Sequence, residues 1–166
     1  VPILENLSEV AEIGIVTGSD FNYLKQQVSA LIDHPKIRKK LHLLPCNGTK
    51  HYCPPKSNEN HQLVFSNDML KELGRRNFQQ LMLILIEQQH SFATDRFPLT
   101  GHFINYRGSM INWCPIGRNA NDDDRANFKI LDMSERVRYK YTQKLVDKLR
   151  EHDILNVTIK LGGDTS

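Results

Sequence analysis

Phe103-Ile-Asn-Tyr-Arg107-Gly-Ser-Met-Ile-Asn112-Trp-Cys-Pro115-Ile-Gly-Arg118 is the stretch whose reading decides the fold, and Arg125 follows it seven residues on. His102 to Arg107 and Met110 to Cys114 read as two strands of a hairpin turned at Gly108-Ser109. Arg107 would leave the end of one strand. Arg118 follows Pro-Ile-Gly, a turn that can aim backbone N–H groups at an anion. Asp122-Asp-Asp124 opens a short helix that carries Arg125. A guanidinium holds phosphate through two parallel hydrogen bonds and keeps its charge at any working pH. Each such pairing would contribute about 1.5–3 kcal/mol. The pattern points to a pocket for a phosphorylated small molecule. Spacing alone leaves open that these are solvated surface arginines.

Working outward, Asp132 and Glu135 resemble a capping box for a helix from Ser134 to His152, with Val137, Tyr141, Leu145 and Leu149 on one face. Leu155, Val157, Ile159 and Leu161 alternate as in a half-buried strand over Ile154 to Leu161. On the other side, Ser66 or Asn67 can cap a long helix to about Gln89. Leu70, Leu73, Leu81, Met82, Leu85 and Ile86 form its apolar stripe, and Gly74 is a weak point inside it. Lys50 to Cys53 and Gln62 to Phe65 read as strands around the polar loop Pro54 to His61. This is an α+β lobe, an antiparallel sheet covered by two helices. Before Pro45-Cys-Asn-Gly48 the character differs. Leu7 to Glu12 ends a helix, and Glu12 to Val16 is a buried parallel strand that runs into Thr17-Gly-Ser-Asp20. Asp20 caps the helix Phe21 to Leu31, and Leu41 to Leu44 is the next strand. The expected division is a partial α/β core over residues 1–45 and the α+β lobe over 46–166.

Hydrophobic content of 39% and charged content of 25% describe a globular chain, and a net charge of +3 is too mild for nucleic-acid binding. No apolar run is long enough to cross a bilayer, and no signal peptide is evident. Cys46, Cys53 and Cys114 match no zinc spacing and show no paired base, so they read as free thiols of a reducing, cytoplasmic compartment. The seven histidines show no HExxH-type spacing and read as surface or core residues. Adjacent Asp122, Asp123 and Asp124 splay around a helix and suit its first turn better than a metal. No metal ligand is assigned from spacing.

The arginine block closely resembles the cap domain of eukaryotic-type phosphomannomutases, members of the haloacid-dehalogenase-like superfamily. Val16-Thr-Gly-Ser-Asp20 resembles the second core motif of that family. Asn47-Gly48 resembles the exit from core to cap, and Gly162-Gly163 with Ser166 the approach to re-entry. The resemblance implies a partial haloacid-dehalogenase-like core plus an α+β cap. It implies substrate-phosphate ligands at Arg107, Arg118, Arg125 and Ser166, and a core phosphate loop at Thr17, Gly18, Ser19 and Asp20. It further implies interconversion of mannose 6-phosphate and mannose 1-phosphate, which serves GDP-mannose biosynthesis. The reaction would use an aspartyl-phosphate, a bisphosphorylated sugar and Mg²⁺. Partners would be a phosphorylated hexose and a second copy of the chain, joined through the cap near Phe103.

The family's nucleophile and acid/base aspartates sit in an Asp-x-Asp-Gly-Thr motif, and this sequence contains none. No catalytic residue is therefore assigned. The Mg²⁺ ligands of the parent enzyme would lie mostly outside the chain. The expectation is an enzyme truncated at both ends, inactive alone, with the phosphate grip retained. The alternatives are a sugar phosphatase of the same superfamily and a non-catalytic phosphosugar-binding or dimerisation module.

Overall fold

A computed structural model describes residues 2–57, 59–93 and 96–166. The expected loop Pro54 to His61 includes Asn58, and that position lies outside the described residues, as does Val1. The chain is mixed α/β and forms two compact units. The first runs up to Asp68 and takes in Arg107–Met110; the second comprises Met69–Tyr106 and Ile111–Ser166.

In the first unit, helix α1 (Pro2–Val10) leads into β1 (Ile13–Val16). Asp20 then caps α2 (Phe21–Gln27), its carboxylate accepting the Tyr23 N–H at 2.9 Å. The expected helix to Leu31 breaks at Val28, and α3 (Ser29–Ile32) follows it. Strand β2 (Leu41–Leu44) pairs parallel with β1, as the apolar runs anticipate. Strands β3 (Lys50–Cys53) and β4 (Gln62–Ser66) do not build the sheet of the second lobe. They continue the first sheet in the order β1-β2-β3-β4, with β3 antiparallel to both neighbours. The compact units thus part after Asp68, whereas the sequence suggests a division after residue 45. Hydrogen bonding along β2 accounts for the difference: its free edge takes β3 directly after the Pro45–Gly48 turn.

One face of this sheet is the core of the unit. Ile13, Leu41 and Leu43 pack with Leu24 and Ile37, and the Phe21 and Tyr52 rings stack at 3.7 Å. At the far edge, Leu63, Val64 and Phe65 of β4 are all exposed.

The second unit is built on α4 (Met69–Phe92), where Gly74 adopts φ 72°, so the helix is two segments joined at that glycine. Leu81, Ile84 and Leu85 of α4 pack against Leu145 and Leu149 of α6 (Val137–Glu151). The short hairpin β5 (Ile104–Tyr106) and β6 (Ile111–Trp113) contributes Ile104, Ile111 and Trp113 to that cluster. A second cluster joins Phe92 to Phe128 of α5 (Asp122–Glu135) with Cys114, Ile116 and Val137, and Phe97 and Tyr141 add edge-on ring contacts.

Two expectations change here. The short helix that carries Arg125 runs on to Glu135 as α5, and the helix expected from Ser134 starts at Val137 as α6, the two separated by Arg136 in the left-handed region at φ 54°. Asp132 still caps a helix, but it accepts the N–H of Arg138, at 2.6 Å, across that break. Ile154 to Leu161 forms no strand: Val157 and Ile159 pack on the helices, while Leu155 and Leu161 point to solvent. The hairpin strands have three residues each, and the segment gains its burial from helices without a ladder.

Removing the Phe128 ring, which is 1% exposed, leaves a cavity among aromatic neighbours. Phe128→Ala is expected to destabilise the second unit by about 3–5 kcal/mol, read by urea denaturation. In the first unit, His61 donates its Nε2 N–H to the Leu41 carbonyl at 2.9 Å. Burial holds its pKa below the ordinary 6.5, and Arg38, His42 and Lys25 push the same way against the raising effect of that bond. The unfolded chain then binds the proton more readily than the folded one. The stabilisation is complete above pH 6.5 and is lost as pH falls from there toward the lower folded value. The urea midpoint of this unit should drop over that window, and His61→Gln should flatten the drop.

Candidate functional site

Each unit carries part of the residue set singled out in the sequence. In the first, β1 ends in the loop Thr17–Asp20, which lies against the turn after β2. Cys46 N–H donates to Ser19 O at 2.8 Å and Asn47 N–H to Thr17 O at 2.7 Å. Asn47 takes φ 58° to do so, a conformation Asn tolerates. The Thr17 hydroxyl oxygen accepts the Ser19 N–H at 3.3 Å. Arg107 belongs to this unit, and its guanidinium donates to the Gly18 carbonyl. Ser109, buried at the hairpin turn, accepts the Thr49 hydroxyl at 2.7 Å. Thr17, Gly18, Ser19, Asp20 and Arg107 are therefore assembled in one place.

Arg118 and Arg125 come together in the second unit. Arg118 is exposed and donates to Asn112 Oδ1 at 3.2 Å. Arg125, one turn into α5, spreads its fork over Ala120 O at 2.9 Å, Arg118 O at 2.6 Å and Thr165 Oγ1 at 3.2 Å. Asn121 caps α5 by accepting the Asp124 N–H at 2.8 Å, so Asp122–Asp124 occupy its first turn as the dipole favours. Gly117, at φ 90°, turns the Pro-Ile-Gly-Arg segment; a Cβ there would stand 2.4 Å from the Gly101 carbonyl oxygen. Only glycine fits that turn, which carries Arg118 out of the hairpin.

The segment Gly162–Ser166 closes on itself through reciprocal backbone bonds between its end residues, at 2.9 and 3.1 Å. Arg138 donates to Gly163 O at 2.9 Å and Ser166 O at 3.1 Å, and Lys129 pairs with Asp164 at 3.2 Å. Asp132 Oδ2 holds the Arg138 guanidinium at 2.7 Å, both side chains nearly buried. Sequence reasoning missed Arg138. Its signal was the Asp132-to-Arg138 spacing, which crosses the break at Arg136, two residues beyond the helix start the pattern suggests.

Sequence reasoning also left His42, His51 and Cys53 unconnected. His42 Nδ1 lies 2.8 Å from His51 Nε2, and the Cys53 sulfur is 3.8 Å from that same nitrogen. The expectation that no base accompanies a cysteine is thus corrected for Cys53. His42 is separated in sequence by a turn from His51 and Cys53 of β3 and meets them only through the pairing of β2 with β3.

Among the described residues, no helix is long and apolar enough to cross a membrane. The sequence matches the eukaryotic phosphomannomutase family over residues 2–166. It is 29% identical over 164 residues to a phosphomannomutase of Schizosaccharomyces pombe, covering 98% of this chain and 59% of that protein. A phosphomannomutase of Arabidopsis thaliana is 30% identical over 167 residues, covering 98% of the chain and 60% of the relative. Phosphomannomutase 1 of Homo sapiens is 28% identical over 144 residues, 86% of the chain and 50% of that protein. The chain spans about three fifths of the length of the first relatives it matches. Family match, fold class and the arginine-bearing hairpin agree, and the chain belongs to the eukaryotic phosphomannomutase family.

Proposed function

We propose that this chain carries the phosphate grip of a phosphomannomutase-type isomerase, with residues 46–166 as its cap in chain order and residues 1–45 as part of a haloacid-dehalogenase-like core, the first two strands after residue 45 adding to the core sheet. The observation that carries the reading is that Arg125 lies within one unit in contact with the Arg118 backbone and the Gly162–Ser166 turn. Arg125 bonds the backbone of Arg118 and the hydroxyl of Thr165, the neighbour of Ser166. A bisphosphorylated sugar must present either phosphate to the nucleophile and keep the other held. Arginines hold a phosphate without attacking it and stay charged throughout. Arg107 remains a proposed ligand of the same substrate on the strength of family membership. Thr17, Gly18, Ser19 and Asp20 are the proposed core phosphate loop.

Family membership implies Mg²⁺ for the whole enzyme. Among the described residues, the loop Thr17–Asp20 assembles no site for it. The Thr17, Gly18 and Ser19 carbonyls all accept N–H donors, and Asp20 caps α2. Magnesium asks for free oxygen ligands. The chain also contains no Asp-x-Asp-Gly-Thr motif, so the phosphoryl-transfer step is proposed to need residues beyond it. A second copy is the proposed partner through the cap near Phe103. Leu83 and Ile86 stand exposed on α4, 58% and 54%, and supply apolar surface for such a contact.

Calorimetric titration with mannose 1-phosphate is expected to show saturable binding that free mannose does not reproduce. Arg118→Ala or Arg125→Ala should weaken it by about tenfold or more. Arg125 also braces the backbone, so its variant needs a matched denaturation curve; Arg118 is the cleaner test. Unchanged affinity in Arg118→Ala would sink the pocket. Assayed alone with mannose 6-phosphate and Mg²⁺, the chain should form no mannose 1-phosphate. Replacing Leu83 and Ile86 together with glutamate should shift the sedimentation of a dimer to that of a monomer.

A further inference from the structure

Side chains along β2 and β3 alternate between the faces of the first sheet. Leu41, Leu43 and Tyr52 take the core face, so His42, His51 and Cys53 share the other. Leu43 stands opposite Tyr52 in antiparallel register, which sets His42 across from Cys53 with His51 on the diagonal. Gly14 is the parallel partner of His42 and brings no side chain of its own to that neighbouring place, beside which Leu44 Cδ1 stands 3.4 Å from where a Cβ would be. One donor atom from each of the three residues lies within 4.8 Å of the others, and all three are half-buried.

We propose that His42, His51 and Cys53 bind a borderline-soft divalent cation of the zinc class, with Glu12 orienting His42. Two imidazole nitrogens and a thiolate suit zinc or cobalt and not the oxygen-seeking Mg²⁺. Glu12 Oε2 lies 3.3 Å from His42 Nε2 and accepts its N–H, which leaves Nδ1 with its lone pair toward His51 and Cys53. The spacing is close to what the metal needs. Tetrahedral zinc sets its ligand nitrogens about 3.3 Å apart and nitrogen and sulfur about 3.6 Å apart. The present separations are 2.8 and 3.8 Å, so small side-chain rotations suffice. The short contact between nitrogens is a hydrogen bond, and its proton must move. On binding, neutral His51 carries its proton on Nδ1, and the Cys53 thiol releases one proton to solvent. The cation, two neutral imidazoles and a thiol become a singly positive complex plus one proton, with no change of oxidation state. Water completes the coordination from the open side. The site rests on no part of the phosphomannomutase reading.

The test is a titration of the untagged, reduced chain with Co²⁺, followed by absorbance. The expected result is saturation at one equivalent with a thiolate-to-cobalt charge-transfer band, bleached by Zn²⁺ and untouched by excess Mg²⁺. Cys53→Ser should abolish the band, while Cys46→Ser and Cys114→Ser keep it. Glu12→Gln should weaken binding by about tenfold. No charge-transfer band in the unmodified chain at saturating Co²⁺ would overturn the proposal. So would a band that survives in Cys53→Ser, or displacement by Mg²⁺ as effective as by Zn²⁺. The unmodified chain alone can fail this test, so it does not depend on any variant folding.

Discussion

Strand β2 is held on both edges, parallel to β1 and antiparallel to β3, and the first unit depends on that double pairing. Its alternation sends Leu41 and Leu43 into the core and His42 to the opposite face. Its end delivers Pro45–Gly48 to the loop after β1, where backbone N–H groups of Cys46 and Asn47 lock Ser19 and Thr17 in place. A register slip of one residue would bury His42 and expose the leucines, so the apolar pattern and the loop geometry enforce one another.

The second unit has a different keystone. The Asp132–Arg138 pair spans the break between α5 and α6, and its guanidinium also holds the carbonyls of the Gly162–Ser166 turn. Taking one partner from a nearly buried pair costs about 3–5 kcal/mol because the other charge stays behind without water. The same turn is gripped by Arg125 through Thr165. Arg125 is thereby fixed in orientation by backbone and hydroxyl acceptors, and in its proposed role as a phosphate ligand that preorganisation would lower the ordering cost of binding.

Strands β1, β2 and β3 were legible in the sequence because each is a short run between turn residues, and Asp20 was legible as a cap because its chemistry is local. The hairpin at Gly108-Ser109 was legible for the same reason. A helix start near Asp132 was legible too, but the run of α5 to Glu135 and the break at Arg136 were not, since a left-handed arginine leaves no mark in an apolar periodicity. Ile154 to Leu161 alternates like a strand, yet alternation reports only which residues avoid water, and two helices cover Val157 and Ile159 as well as a sheet would.

The sequence by itself determined the family, the short strands, the caps and the arginine block, because these rest on residue chemistry within a few positions of one another. Tertiary structure alone decided that β3 and β4 extend the first sheet, that Arg107 lies with Gly18, and that Arg118 and Arg125 share a unit with Thr165. It alone placed His42 beside His51 and Cys53. Strand pairing and helix docking depend on which edges and faces are left unsatisfied after each element forms. That is a property of the assembled chain, and no local stretch of residues encodes it.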